Sequence, residues 1–428
     1  MERLNIQALD TGGRGVARDA SGKVVFVEGA LAGETVEVEP VRARRRFSLA
    51  RVRAVLAAAA GRREPPCPHF ARCGGCTLQH ADARTQMAAK QRWLEDALER
   101  IGRVRPETML PIVYGAEWGY RRRARLAVRL VEKKGGVLVG FHERASSYIA
   151  ELRSCAVLAP PVSSLIVPLR ELVGGLAARA RLPQIEVAVG DAAVALVFRH
   201  LDPLEGQDLE ALRRFADAHG VAVWLQPGGP ETARPLHPAD PDPLYYDLPE
   251  YGVRIRFAPT DFTQVNASVN RVLVSRAVRL LDPKPGERVA DLYCGLGNFA
   301  LPLARAGAAV LGLDANAALV ARARENARAN GLVAQFEIAD LARPALARFG
   351  PFEKLVLDPP REGAIAVANA LPDAWPRRIV YVSCDPATLA RDANVLVNVK
   401  GFRLVAAGVV NMFPHTAHVE SVCLFERD

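Results

Sequence analysis

Apolar and polar residues alternate along short stretches of the first 60 residues. The alternation is clearest in 23–28, 34–39 and 47–55, and glycine-bearing turns such as 29–33 separate these stretches. Period-two alternation predicts β-strands that bury one face. About five short strands in so few residues predict a small barrel of the OB type. Such barrels commonly bind oligonucleotides, although they also serve as packing modules without a ligand.

Two other patterns follow before residue 260. Met87, Leu94, Leu98 and Ile101 recur at helical spacing behind Asp82, a residue type that favours a helix N-cap. They predict one amphipathic helix. From about residue 119 to 258 strand-like stretches return with a helix or two, and the proline-rich stretch 228–243 predicts a loop.

Apolar runs alternate with helical segments through the last 170 residues. The candidate strands are 288–293, 309–314, 354–358, 378–384 and 402–409, and the candidate helices are 317–330 and 386–397. This alternation predicts a parallel, doubly wound α/β sheet. The expected fold class is therefore multi-domain α/β, with an N-terminal OB-like β-barrel, a central α+β domain and a C-terminal Rossmann-like domain.

Length and composition limit the class of protein. The chain has 428 residues, enough for two or three domains, and its 50% hydrophobic and 24% charged residues are typical of globular proteins. The longest apolar runs are about seven residues, well short of the roughly 20 that a membrane span requires. The first residues lack the layout of a secretory signal. We therefore expect a cytoplasmic protein, and a monomer by default.

Positive charge is concentrated in two places. The formal net charge is +9, and residues 41–63 hold eight arginines without an acidic residue. A second group lies in 119–130. The candidate RNA contacts are Arg44, Arg45 and Arg46 in the first group and Arg121, Arg122 and Arg123 in the second. Clusters of one sign favour a nucleic-acid partner over a merely solvated basic face.

Cysteines form a second cluster. Three of the seven, Cys67, Cys73 and Cys76, are crowded in a stretch rich in Gly and Pro, and Cys155 lies far along the chain. In a reducing compartment this spacing indicates a metal site more often than a disulfide. The spacing alone leaves zinc and an iron–sulfur cluster open.

The C-terminal domain carries the candidate chemistry. A G-x-G-x-x-A turn spans 295–300 and an acid, Asp314, ends the next strand, which suits either a dinucleotide or S-adenosylmethionine. Cys384 ends a later strand just before a helix, whose N-terminus would lower the pKa of the thiol and activate a nucleophile. Cys294 and Cys423 occupy positions typical of core packing.

These motifs together resemble a known family. FTQVN (262–266), DLYCGLGNF (291–299), DPPR (358–361), SCDP (383–386) and HVES (418–421) are similar to motifs of the S-adenosylmethionine-dependent RNA uracil-5-methyltransferases. The N-terminal barrel with GGRGVAR (12–18) resembles a TRAM domain. The segment CPHFARCGGC (67–76) with Cys155 resembles the family's iron–sulfur site.

The resemblance implies a role for each matched residue. Cys384 would be the nucleophile and Glu420 the general base. Six positions would line the pocket of the methyl donor, S-adenosyl-L-methionine: Gln264, Tyr293, Asn298, Asp314, Asp340 and Asp358. Cys67, Cys73, Cys76 and Cys155 would hold a [4Fe–4S] cluster. The family often has Glu at the position of Asp314 and Phe at that of Tyr293, and both replacements preserve the chemistry.

The resemblance also implies a domain organisation and a substrate. Residues 1–58 would form the RNA-binding TRAM-like barrel, 59–80 with 119–258 the central domain, and 81–118 with 259–428 the catalytic domain. A barrel combined with a cluster is similar to the branch of the family that acts on 23S rRNA. A tRNA methyltransferase, a non-catalytic RNA-binding or assembly factor and, more distantly, a nicotinamide-linked oxidoreductase remain as alternatives.

Overall fold

The computed structural model describes residues 2–427, and its first six strands enclose a core of their own. The strands are β1 (Glu2–Asn5), β2 (Ala8–Leu9), β3 (Gly15–Arg18), β4 (Val24–Glu28), β5 (Thr35–Ala43) and β6 (Phe47–Ala57), in the spatial order β1-β5-β6-β4-β3-β2. Alternate residues such as Leu4, Val25 and Val36 point inward. The alternation in the sequence therefore predicted this domain correctly.

A buried ion pair ties this domain to the segment that follows it. The Glu34 side chain is 1% exposed and accepts hydrogen bonds from the Leu31 amide at 2.8 Å and from Arg62 Nη2 at 2.7 Å. Burial raises the pKa of Glu34, but Arg62 and the Leu31 amide more than offset this effect, so the pKa lies below its usual value. A buried carboxylate needs such partners, and the pair fixes where the next segment begins.

The cysteine segment, residues 67–80, leads into helix α1 (Ala83–Ala97) and the short strand β7 (Thr108–Met109). The predicted cap is confirmed, because the Asp82 side chain accepts a hydrogen bond from the Thr85 amide at 2.8 Å. The buried face of α1 packs into the core of the C-terminal sheet and includes Met87, Trp93 and Leu94.

The central sheet has the order β13-β12-β11-β10-β8-β9. Its strands are β8 (Arg123–Val131), β9 (Gly136–Gly140), β10 (Gln184–Val189), β11 (Val194–Arg199), β12 (Ala222–Gln226) and β13 (Arg234–His237). Helices α2 (Pro160–Ser163), α3 (Ile166–Gly175) and α4 (Gly206–His219) accompany it. The prediction that 228–243 is only a loop is wrong, because β13 lies inside it. The strand sits at the sheet edge, where Pro235 is tolerated.

A hairpin and a helix lead into the C-terminal domain. They are β14 (Leu244–Leu248), β15 (Val253–Phe257) and α5 (Ala267–Leu281). The expected boundary at residue 258 assigns the hairpin to the central domain. Its buried residues share one core with α5 and the C-terminal sheet, among them Leu244, Ile255 and Leu273, and this core also includes Ala188 and Ala195 of the central sheet.

The C-terminal sheet contains eight strands in the order β18-β17-β16-β19-β20-β22-β21-β7. They include β16 (Arg288–Leu292), β17 (Ala309–Asp314), β18 (Gln335–Ile338), β19 (Lys354–Leu357), β20 (Arg378–Ser383), β21 (Arg403–Val410) and β22 (Glu420–Glu426). The helices between them are α6 (Ala300–Arg305), α7 (Ala317–Ala329), α8 (Ile365–Ala370) and α9 (Pro386–Asn398). The predicted doubly wound sheet is confirmed, but β18 was not among the candidate strands, and β22 runs antiparallel to both of its neighbours.

The described helices do not have the features of membrane-spanning helices. Among residues 2–427, no helix combines the length and the apolar character that a bilayer span requires.

Candidate active site

The antiparallel strand β22 determines which side chains meet at the edge of the C-terminal sheet. Its register pairs Ser421 with Ser383, the last residue of β20, and Glu420 with Val410, the last residue of β21. Cys384 follows Ser383 directly, and Glu420 opens β22. The pairing therefore brings the predicted nucleophile and the predicted base to the same edge, although 35 residues separate them in the chain. Ligands of open α/β sheets bind at this carboxyl edge.

Helix α9 does not activate Cys384 in the way the sequence suggests. The Asp385 carboxylate caps the helix by accepting hydrogen bonds from the Ala387 and Thr388 amides, at 2.8 and 3.1 Å. Burial, followed by the nearby carboxylates of Glu420 and Asp358, raises the pKa of the Cys384 thiol to about 11. The expectation of a lowered pKa is wrong, because desolvation and negative charge oppose a thiolate.

The two carboxylates beside Cys384 are themselves perturbed. Glu420 is 3% exposed, and burial together with Asp358 raises its pKa well above the usual value. Burial raises the pKa of Asp358 to about 7. Gln264 Nε2 lies 3.5 Å from Asp358 Oδ2, so this predicted pair is in reach of one hydrogen bond. Carboxyl groups with raised pKa values are suited to proton transfer near neutral pH.

The glycine-containing turn after β16 forms a second part of the edge. Tyr293 has a φ of +65° and Gly295 a φ of +51°, and a Cβ added at Gly295 would meet nothing within 4 Å. The Gly295 amide donates to Asp314 Oδ2 at 3.0 Å, and the Asn316 amide donates to Oδ1 at 2.8 Å. The turn thus leaves open space beside a carboxylate that keeps further acceptor capacity for a ribose.

Asn298 and Asp340 differ in how free they are to bind a ligand. Asn298 Oδ1 accepts hydrogen bonds from the Tyr246 hydroxyl at 3.0 Å and from Asn270 Nδ2 at 2.9 Å, and its Nδ2 donates to Asn270 Oδ1 at 3.0 Å. Its amide therefore holds the turn against the preceding hairpin and α5. Asp340 is exposed, and its charge acts on Tyr293 across the same edge.

The four predicted metal-binding cysteines line one cavity. Its volume is about 220 Å³, and Cys67, Cys73, Cys76 and Cys155 all border it as free thiols. Within residues 2–427, no group of three or more His, Cys, Asp and Glu side chains has an arrangement that could hold a metal ion. Cys294 and Cys423 are 4% and 0% exposed inside the core, in agreement with their predicted packing role.

The two arginine groups have different environments. Arg44, Arg45 and Arg46 are exposed at the turn between β5 and β6. By contrast, Arg122 forms an ion pair with Asp191, and Arg123 bonds the Pro259 carbonyl and lies 3.7 Å from Glu186. Arg121 donates from Nε to the Arg123 carbonyl at 2.9 Å and borders the cysteine cavity. Arg121, Arg122 and Arg123 therefore already make contacts within the protein.

Sequence reasoning missed two cations near the site. Arg361 completes the DPPR motif, and its charge acts to lower the pKa of Cys384. Lys90 is fully buried on α1, between Met87 and Leu94 on the apolar face. The motif was the signal for Arg361, and a lysine at helical spacing within an apolar stripe was the signal for Lys90.

A largely parallel sheet with a glycine turn, an acid ending the next strand and a cysteine at the carboxyl edge has the organisation of a nucleotide-binding α/β methyltransferase domain. The family model described as tRNA (uracil-5-)-methyltransferase matches residues 247–348 and 337–428, and the TRAM domain model matches residues 2–52.

Full-length relatives extend the match to the whole chain. The 23S rRNA (uracil(1939)-C(5))-methyltransferase RlmD of Thiobacillus denitrificans is 60% identical over 99% of this chain and 99% of its own length. The RlmD of Aromatoleum aromaticum is 57% identical over the same shares. The chain therefore belongs to the family of RNA uracil-C5-methyltransferases.

One solved structure has the same overall fold. The Pyrococcus abyssi tRNA (uracil-54, C5)-methyltransferase, in complex with S-adenosyl-L-homocysteine, superposes with a TM-score of 0.74 and 24% identity, covering 99% of this chain and 100% of its own.

The raised pKa of Cys384 predicts its reactivity in the protein without substrates. Alkylation of Cys384 by iodoacetamide, followed by peptide mass spectrometry, is expected to be slow at pH 7 and to accelerate as the pH approaches 11. The charge of Glu420 contributes to the raised pKa of Cys384, so Glu420→Gln is expected to shift the alkylation profile to lower pH. Glu426→Gln, at the far end of β22, is the matched control. An unchanged profile in Glu420→Gln would contradict the electrostatic coupling.

Proposed function

We propose that this protein transfers a methyl group from S-adenosylmethionine to C5 of a uridine in 23S rRNA. The observation that carries the proposal is the meeting of Cys384 and Glu420 at one sheet edge, where β20 ends and β22 begins. The names of the relatives that match this chain from end to end support the rRNA substrate over tRNA. The intact pair also argues against a non-catalytic RNA-binding factor.

The chemistry of uracil explains why this site needs both residues. C5 is a poor nucleophile, so the Cys384 sulfur first bonds to C6 and turns the ring into an enolate that is nucleophilic at C5. After C5 has taken the methyl group it still carries its proton. Glu420 accepts that proton, the bond between sulfur and C6 breaks, and the C5=C6 double bond returns. Cys384 leaves as the thiolate and the methyl donor as S-adenosylhomocysteine; Glu420 then gives up its proton and Cys384 takes one up, which regenerates the enzyme.

The Cys384 thiol must release its proton to solvent before the sulfur bonds to C6. Its pKa of about 11 in the protein alone means that substrate binding has to favour the thiolate. Arg361 is the cation whose charge already acts in that direction. A reactive thiolate would then form only in the assembled complex, in line with the covalent step it has to perform.

The methyl donor supplies an electrophilic methyl group on a sulfonium when bound. The open space at Gly295 beside Asp314 suits the nucleoside part of such a donor, because the carboxylate can accept hydrogen bonds from ribose hydroxyls. Tyr293 would provide an aromatic wall, and Asp340, Gln264 and Asp358 the remaining polar positions. We assign Asn298 to holding the turn in place, because its amide is already engaged.

RNA binding is assigned first to the arginines at the β5–β6 turn. Arg44, Arg45 and Arg46 are exposed on the domain that matches the TRAM model, and an exposed cationic turn suits phosphate groups. The target uridine has to leave its stack to reach Cys384, at a cost of about a few kcal/mol. Contacts to the flanking RNA have to offset this cost. Arg121, Arg122 and Arg123 have a lesser part, since they already bind protein groups.

A [4Fe–4S] cluster is the group we assign to the cysteine cavity. Four free thiols around a space of about 220 Å³ suit a cluster that fills the space between them, whereas zinc requires sulfurs converging at about 2.3 Å from one point. The cluster would supply four iron–sulfur bonds that hold the segment 67–76 to Cys155. None of the proposed steps of methyl transfer requires it.

The central prediction concerns methyl transfer. With labelled S-adenosylmethionine and unmodified 23S rRNA, the wild-type protein is expected to label C5 of a uridine, and Cys384→Ala to label none. Glu420→Gln is expected to methylate and then stall, leaving RNA covalently attached to protein on a denaturing gel. Cys423→Ala, a buried cysteine away from the edge, is the control. Label that appears in tRNA alone would favour the tRNA alternative, and no label with either RNA would contradict the proposed activity.

The arginine assignment predicts a change in salt dependence. Replacing Arg44, Arg45 and Arg46 with Ala is expected to weaken rRNA binding and to reduce the slope of log K against log salt by roughly 2 to 3, since each phosphate contact contributes about 0.7 to 0.9. Filter binding of rRNA over a range of salt concentrations measures this slope. Arg213 and Arg214 on α4, each 3.7 Å from Glu210, are control positions for the same substitution. An unchanged slope in the triple variant would contradict the assignment.

The cluster assignment predicts the metal content. Anaerobically purified protein is expected to contain about four irons per chain, with the absorption of an iron–sulfur cluster, and Cys155→Ser to lose most of it. Cys384→Ala keeps all four proposed ligands and is expected to retain the iron. Stoichiometric zinc without iron would overturn the assignment.

A further inference from the structure

The loop that precedes Glu420 is held from outside the C-terminal sheet. Residues 411–419 connect β21 to β22, and the register pairs Val410 with Glu420, so the loop begins and ends beside the proposed base. Two side chains of α1, Gln86 and Lys90, contact this loop. They stand four residues apart and therefore share a helix face.

Lys90 makes its contacts at the start of the loop. Its side chain is 0% exposed, and Nζ donates to Asn411 Oδ1 at 3.2 Å and to the Phe413 carbonyl at 2.8 Å. Among residues 2–427, no carboxylate lies within ion-pairing distance of it. Burying an ammonium group without a counter-ion is costly, and packing does not require it, because methionine would fill a similar volume.

Gln86 and the cysteine segment hold the middle of the loop. Gln86 Oε1 accepts a hydrogen bond from the His415 amide at 2.8 Å, and the His415 carbonyl accepts from the Thr77 and Leu78 amides, both at 2.9 Å. His415 has a φ of +65° and stacks on Trp118 with ring centroids 3.8 Å apart. A non-glycine residue persists in this left-handed conformation only where surrounding contacts fix it.

We propose that Lys90, assisted by Gln86, is a positioning residue for Glu420: it fixes the 411–419 loop so that the carboxylate is aimed at C5 of the uracil. Lys90 touches neither substrate nor methyl donor in this account. Its hydrogen bond to Asn411 acts on the residue directly after Val410, which is paired with Glu420. This inference rests on the proposed function, since it requires Glu420 to remove the C5 proton.

The test compares Lys90→Met with Glu420→Gln in methyl transfer to 23S rRNA. Lys90→Met is expected to lower kcat roughly 10- to 100-fold, with little change in the KM for rRNA or for the methyl donor. It is also expected to accumulate methylated RNA covalently bound to the protein, because proton removal follows methylation. Lys90→Arg retains a donor and is expected to restore part of kcat. Leu94→Ala, on the same buried face, is expected to lower the melting temperature without accumulating the adduct.

The outcomes separate this inference from the proposed function. Adduct in Glu420→Gln but none in Lys90→Met, with kcat unchanged, would overturn the role of Lys90 and leave the proposed function standing. No adduct in Glu420→Gln, together with unimpaired turnover, would overturn the proposed function itself. Gln86→Leu provides the second variant if Lys90→Met fails to fold, and the same slow adduct release is expected of it. A normal release rate in a folded Gln86→Leu protein would then count against the inference.

Discussion

The antiparallel pairing of β22 with β20 and β21 is the constraint on which the site depends. Were β22 parallel to its neighbours, Glu420 would lie at the opposite edge of the sheet from Cys384, about the length of a seven-residue strand away. The pairing of Ser383 with Ser421 removes that separation. A one-residue slip would turn Glu420 to the other face. The register is set by the pairing of β22 with β20 and β21. Lys90 and Gln86 add contacts to the 411–419 loop that precedes β22.

Electrostatic effects at this edge act on three neighbouring side chains together. Cys384 and Asp358 are half-buried, Glu420 is buried beside them, and desolvation shifts all three towards their protonated forms. With its pKa raised, the Cys384 sulfur remains largely a thiol near neutral pH. Partial exclusion of water disfavours the ionised forms of these three groups. It also strengthens the effect of a nearby cation on them, because charges interact more strongly where water is excluded.

Local sequence patterns predicted most elements of the fold but few of the long-range contacts. Alternation identified the first domain, and the N-cap at Asp82 marked the start of α1. Strand and helix patterns predicted the C-terminal sheet. The pKa of Cys384 could not be predicted from its position before α9, because burial and then Glu420 on another strand raise it, and Asp385 already caps the helix. Likewise, the partners of Arg122 and Lys90 lie 69 and 321 residues away, beyond any local pattern.

The most direct test of the covalent mechanism uses an rRNA fragment in which 5-fluorouridine replaces the target uridine. Fluorine cannot leave C5 as a proton does, so elimination is blocked after methylation. The account predicts that the wild-type protein, with S-adenosylmethionine, stops after one turnover as a covalent adduct whose RNA is joined to the peptide containing Cys384. Methylation of the fluorinated RNA without a protein adduct, or an adduct at another residue, would contradict it.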